Sequence, residues 1–293
     1  MISTPYFIDG PTGKLFAVHH APQQTDRTTG HVLVAPPFNE EMNRCRAMLT
    51  MLARGLSEIG LGLLVLDPSG TGDSHGEHVD ARWSDWLADL EAGRRWLDAQ
   101  PGGCRAVLGI RLGAILAAQL AAESDTADKR LALALWQPVI DGKSHLTQFF
   151  RVRIAAQMDR TDLPKETTAS MRAQLAAGQP TEVAGYELHP ELTRAIDAAA
   201  LANHRPTAGT PLLWLENALD AEGAITPASR QFLAHWPGPD VAAAVCTFSG
   251  PAFWQVHERM LAPDAIVRTL DWCRSWVGAA PAARMPTPQG LVG

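Results

Sequence analysis

Six short apolar runs recur along the chain, at 31–38, 61–67, 104–110, 131–140, 211–216 and 241–248, and stretches of helical periodicity separate most of them. This alternation is the strongest constraint on the fold. Strands alternating with helices close most simply as a mostly parallel, doubly wound sheet covered on both faces. Runs with apolar residues at consecutive positions, such as LGLLVLD at 61–67, read as strands buried on both sides. Between them, Met42, Leu49, Leu52, Leu56 and Ile59 recur near helical spacing, with Asn39, Glu40 and Glu41 as the expected helix start. Trp83, Trp86, Leu87, Leu90 and Leu97 mark a second helical face over 83–98. Further helices are expected at 112–123, 226–236 and 263–277, with Pro227 and Pro263 at their openings. The front, YFIDGPTGKLFAVHHAP, suits a pair of antiparallel edge strands.

The rhythm breaks between 144 and 204. Only helical patterns are read there, at 144–158, 166–177 and 190–201, the last with Pro190 in its first turn. The expected division is an α/β core over 1–143, a helical cap inserted at 144–205, the rest of the core over 206–278 and a disordered tail at 279–293. The 293 residues suffice for a sizeable core, and 46% hydrophobic with 19% charged residues fits a globular chain. A net charge of −6 without a long basic run argues against nucleic acid as a partner. Cys45, Cys104, Cys246 and Cys273 form no C-x-x-C pair, so no metal site and no disulfide framework is expected, and nothing calls for a cofactor. MISTPYFIDGPTGK lacks a basic region followed by an apolar run, and no membrane-length apolar stretch follows. A cytoplasmic protein with no integral membrane segment is therefore expected.

Ligands bind at the carboxyl ends of the strands in a sheet of this kind. One segment expected there, GIRLG at 109–113, has the outline of a nucleophile elbow between a buried strand and a helix. Such a turn needs small residues two before and two after its centre, and Gly109 and Gly113 supply them. At the centre, where Ser, Cys or Asp is needed, stands Arg111, which attacks nothing at neutral pH.

Around these residues the chain resembles the α/β-hydrolase fold over nearly its whole length. DPSGTGDSHG at 67–76 resembles that fold's D-x-x-G-x-G-x-S turn, and APPFNEE at 35–41 stands where its oxyanion loop follows a strand. The resemblance puts the catalytic acid at Asp220. It puts the catalytic histidine at Phe253 in FSGPAFWQVHE, or at Ala252 if the loop slips by one. More narrowly, PPFNEEMNRCR, DPSGTGDSHGE, GIRLGA, LWQPVIDGKSHLTQFFR and GPAFW are similar to the exosortase A system-associated hydrolase 2 family. That family accompanies bacterial sorting of proteins with PEP-type C-terminal anchors, and an Arg in the elbow is usual in it. The resemblance implies a small-molecule or acyl substrate and a functional link to an exosortase system. By these positions the triad keeps its acid and loses both nucleophile and base.

Three roles stay open for Arg111. It can bind an anion at the start of helix 112–123, helped by the backbone N–H groups of Phe38 and Leu112. It can be neutralised by Glu40, Glu41 or Asp220 as a structural bridge. Or it can polarise a substrate, with Asp220 or Glu41 assisting and His257 as a displaced base. Trp254 and Phe253 are expected as pocket walls, and Ser74–His75 and Ser144–His145 are the weaker nucleophile–base candidates. Two readings follow. One is a hydrolase acting on an ester, thioester or related acyl linkage with a non-standard site. The other is a catalytically inactive binding or scaffold protein with an anion pocket, a pseudoenzyme serving exopolysaccharide or protein-sorting machinery.

Overall fold

The apolar runs pair into one eight-stranded sheet in the computed structural model, which describes residues 1–23, 28–124, 130–157, 165–218, 220, 222–255 and 258–277. The tail expected at 279–293 lies outside the described residues. In chain order the strands are β1 (Ile2–Asp9), β2 (Lys14–Ala21), β3 (Gly30–Ala35), β4 (Leu61–Leu66), β5 (Cys104–Ile110), β6 (Ala132–Trp136), β7 (Thr181–Val183), β8 (Tyr186–Leu188), β9 (Leu212–Asn217) and β10 (Ala243–Phe248). Across the sheet they run β1-β2-β4-β3-β5-β6-β9-β10, while β7 and β8 pair separately. The front hairpin is antiparallel, as its sequence suggests, and β2 meets β4 antiparallel. Every pairing from β4 through β10 is parallel.

The helices are α1 (Glu40–Glu58), α2 (Trp83–Asp98), α3 (Gly113–Glu123), α4 (Gly142–Ala156), α5 (Thr168–Ala176), α6 (Pro190–Ala198), α7 (Pro227–Leu233) and α8 (Pro263–Val277). Successive strand residues point to opposite faces, and two hydrophobic clusters result. Leu33, Leu64, Leu66, Val107, Leu133 and Leu135 pack with α2 and α3. Val32, Val34, Leu63, Leu108 and Leu213 pack with α1 and α8. Two large indoles are buried without an unmet N–H. Trp136 donates to Thr269 (2.9 Å) and Trp214 to Glu216 (2.8 Å).

Three local expectations need correction. The stretch 144–204 is not purely helical, because β7 and β8 form a hairpin between α5 and α6. Its two-residue turn has positive φ at both Ala184 (54°) and Gly185 (85°), the conformation a tight hairpin requires. Strand β6 stops at Trp136 rather than 140, since Gln137 takes φ 42° and the chain turns away. Asn39 occupies the N-cap position of α1 but makes no side-chain cap bond; φ is 53° there, and its amide instead meets His78 (2.7 Å). Helices α4, α5 and α6 with the hairpin stand between β6 and β9 in the chain, and their apolar residues Leu146, Phe150, Met171 and Leu192 join the α2–α3 cluster.

Candidate active site

Strand β5 delivers the chain into a strained turn. Arg111 has φ 54°, in the left-handed region that L side chains rarely occupy. Its own N–H donates to the Trp136 carbonyl (3.0 Å), and its carbonyl accepts from the Val139 N–H (3.1 Å). The two glycines are required by close backbone approach. A Cβ on Gly113 would lie 2.3 Å from the carbonyl oxygens of Ala35 and Pro36, and one on Gly109 would lie 2.5 Å from the Ala114 Cα. The elbow is thus a real one, with an arginine at its tip.

The guanidinium is only 13% exposed and is neutralised from within. Nε donates to Glu41 Oε1 (3.2 Å), Nη1 donates to the Gln137 carbonyl (3.3 Å), and the group lies 5.6 Å from the Trp254 ring centre. Nη2 makes no hydrogen bond among the described residues. Burial pushes the Glu41 carboxyl above its usual range, while Arg111 and Arg44 pull it back. Glu41 Oε2 is buried without a partner among the described residues.

The other two candidate carboxylates are engaged elsewhere. Glu40 accepts from the Tyr186 hydroxyl (3.2 Å) and lies 3.9 Å from Arg44, which ties the start of α1 to the β7–β8 hairpin. Asp220 is exposed; its Oδ1 accepts from the Ala224 N–H (3.0 Å), and it lines neither cavity beside Arg111. Phe253 is core, 1% exposed against Trp136, Phe248 and Trp254. His257 lies outside the described residues. The backbone N–H groups of Phe38 and Leu112, the donors expected for an oxyanion hole, have no acceptor among the described residues.

The remaining candidates have structural bonds. Ser74 Oγ accepts from the Phe16 N–H (2.8 Å) and donates to the Asp67 carbonyl (2.5 Å), closing its turn. Ser144 is exposed and its N–H donates to Asp141 as part of a helix cap. Cys45 is fully buried, and burial pushes its thiol far up. Glu216 is buried and accepts from Trp214, Ser229 and the Thr226 N–H.

Two cavities meet at Arg111. One, about 740 Å³, lies beside α4 and α7 with Val139, Ile140, Phe232 and Trp236 among its walls. The other, about 490 Å³, is walled by Phe38, Phe149, Val152 and Trp254. Arg111, His145 and Gln148 line both. His145 is the residue whose weight sequence reasoning missed, having paired it with Ser144. It is 7% exposed, edge-on to Phe38 at 6.0 Å. Burial, then the Arg111 charge, lowers its pKa to about 3, so the ring is neutral. Nε2 is buried without a partner among the described residues. A signal was present: Gly142, His145, Leu146 and Phe150 share the buried stripe of α4 at helical spacing.

Residues 26–208 match the family of serine aminopeptidases designated S33. No curated protein sequence matches the chain. Among solved structures, Est1E from Butyrivibrio proteoclasticus with bound ferulic acid is similar at TM-score 0.64 and 14% identity, covering 94% of this chain and 100% of its own. The α/β hydrolase GrgF from Penicillium sp. sh18 is similar at TM-score 0.63 and 17% identity, over 94% and 99%. A putative hydrolase from Agrobacterium vitis S4 is similar at TM-score 0.60 and 17% identity, over 94% and 98%. At such identities the likeness speaks for the fold alone.

Proposed function

The chain belongs to the serine aminopeptidase S33 family of α/β hydrolases, and from that premise we propose that it binds an anionic acyl ligand beside Arg111 instead of forming an acyl-enzyme at its elbow. The observation that carries this reading is Arg111 itself, held at φ 54° on the elbow tip, with Nη2 unpartnered among the described residues and two cavities beside it. A guanidinium offers donors in a fork that suits a carboxylate. Helix α3 starts directly after the elbow, and the N–H groups of Phe38 and Leu112 have no acceptor among the described residues. Acyl transfer through the elbow needs a hydroxyl or thiol there and a base beside it. This site offers Arg111 and Phe253.

Service to an exosortase-type sorting system is part of the same proposal. The motifs PPFNEE, GIRLGA and GPAFW resemble that family, and they supply Phe38, Glu41, Arg111 and Trp254 to this one cleft. Titration calorimetry with decanoate and its uncharged amide tests the binding reading. The expected result is decanoate binding by the wild type and at least about tenfold weaker binding by the Arg111→Met/Glu41→Gln double variant. Equal binding by both proteins, or equal binding of acid and amide, overturns it.

Glu41 favours a second reading, hydrolysis by water. Its Oε2 is buried without a partner among the described residues, and burial raises the carboxyl above its usual range. A water would attack the carbonyl of an ester or thioester polarised by Arg111 and give its proton to Oε2; collapse of the adduct would break the acyl C–O or C–S bond, and Oε2 would pass that proton to the leaving alcohol or thiol. Turnover on a panel of such esters, abolished by Glu41→Gln and without labelling by a fluorophosphonate, is the result that selects this reading over binding alone.

A further inference from the structure

We propose that His145 is a second ligand-holding donor of the cleft, placing Nδ1–H on the anion that Arg111 Nη2 holds, and that the ligand is a monocarboxylate with an apolar tail in the larger cavity. This rests on the anion-binding reading above. The geometry separates the two ring nitrogens. Nε2 is shut off from solvent with no partner, whereas Nδ1, also without a hydrogen bond among the described residues, is not among the occluded atoms. A neutral imidazole carries one N–H. A buried donor without an acceptor costs more than a buried lone pair. The proton therefore sits on Nδ1, the nitrogen that is not occluded. His145 lines both cavities with Arg111 and Gln148, so its Nδ1 donor and Arg111 Nη2, both without a partner among the described residues, serve the same cleft. A bound oxygen at Nδ1 gives this ring, 7% exposed, a hydrogen-bond partner that the described residues do not supply.

Charge and shape narrow the ligand. Glu41 already neutralises Arg111, so the ion pair has no net charge to offer a dianion. A single negative charge shared between two donors fits better. The cavity beside α4 and α7, about 740 Å³ with Val139, Ile140, Phe232 and Trp236 in its walls, falls within the size range of small-molecule sites and suits an apolar tail.

The two amide replacements of histidine separate this role from packing. The Asn nitrogen stands near the Nδ1 position and the Gln nitrogen near Nε2. Calorimetry with decanoate should find His145→Asn close to the wild type and His145→Gln about tenfold weaker. Wild-type binding by His145→Gln, or equal loss in both variants, overturns the proposal while leaving the Arg111 reading intact. Absence of wild-type binding overturns both. Should a variant fail to fold, imidazole nitrogen NMR of the wild type decides: the Nδ1–H tautomer is expected, and Nε2–H refutes the assignment. Inorganic phosphate binding more tightly than decanoate would refute the monocarboxylate class.

Discussion

At the scale of single residues, the site turns on a charge that the fold buries and then answers. Breaking a buried ion pair leaves an uncompensated charge, while replacing both partners removes the cost together with the attraction. Arg111→Met or Glu41→Gln alone should therefore lower unfolding stability by about 3 kcal/mol, and the double variant by clearly less than the sum. Urea denaturation of the four proteins measures the coupling; strict additivity would mean that the 3.2 Å contact contributes nothing. The glycines allow an equally local test. A Cβ on Gly113 meets two backbone carbonyl oxygens at 2.3 Å, and backbone cannot swing aside. Gly113→Ala should cost about 3 kcal/mol or prevent folding. Gly185 also has positive φ, 85°, but nothing stands within 4 Å of its Cβ position, so Gly185→Ala should cost only about 1 kcal/mol.

At the scale of elements, the sheet has a chemical polarity. Its carboxyl ends carry the elbow, and its opposite end carries a buried histidine group. His31 Nε2–H donates to the Pro101 carbonyl (3.1 Å), leaving Nδ1 to accept from His19 Nε2–H (3.2 Å), while His20 Nδ1 meets Ser3 Oγ (2.8 Å). Burial, reinforced by His31 and His20, lowers the His19 pKa to about 4, and burial also lowers His20, His31 and His78. In the unfolded chain these rings take protons near their ordinary value of about 6.5. The folded chain takes them only at lower pH, so their stabilisation is complete above about pH 6.5 and is lost as pH falls toward 4. Glu41 and Asp89, both raised by burial, act in the opposite sense and offset part of this. The urea midpoint should fall between pH 7.5 and pH 5, less steeply in His19→Asn; a flat profile would contradict the reading. Among the connecting elements, the β7–β8 hairpin does positional work. His78 Nδ1–H donates to the Glu187 carbonyl (2.9 Å), and Tyr186 reaches Glu40, so the hairpin is bonded to the start of α1 and to the segment between β4 and α2.

At the scale of the whole molecule, a ligand that binds only the folded chain raises its stability by mass action. Decanoate at about one hundred times its dissociation constant should add about 2.7 kcal/mol, read as a rise in melting temperature that the amide does not produce. The architecture behind this cleft was legible beforehand. Alternating apolar runs and helical periods imply a parallel sheet, and Gly109 and Gly113 mark the turn, because backbone period and glycine tolerance are local properties of the chain. The hairpin escaped because three-residue strands leave too short a pattern, although Ala184–Gly185 marked its turn. What the sequence by itself determined, then, is the sheet, its glycine-flanked turn after β5 and the arginine at the tip of that turn. Which of Glu40, Glu41 and Asp220 faces Arg111 was decided only by the tertiary structure, as was the entry of His145 into the cleft. Charge pairing acts over a few ångströms in space, and Glu41 lies 70 residues from Arg111 along the chain.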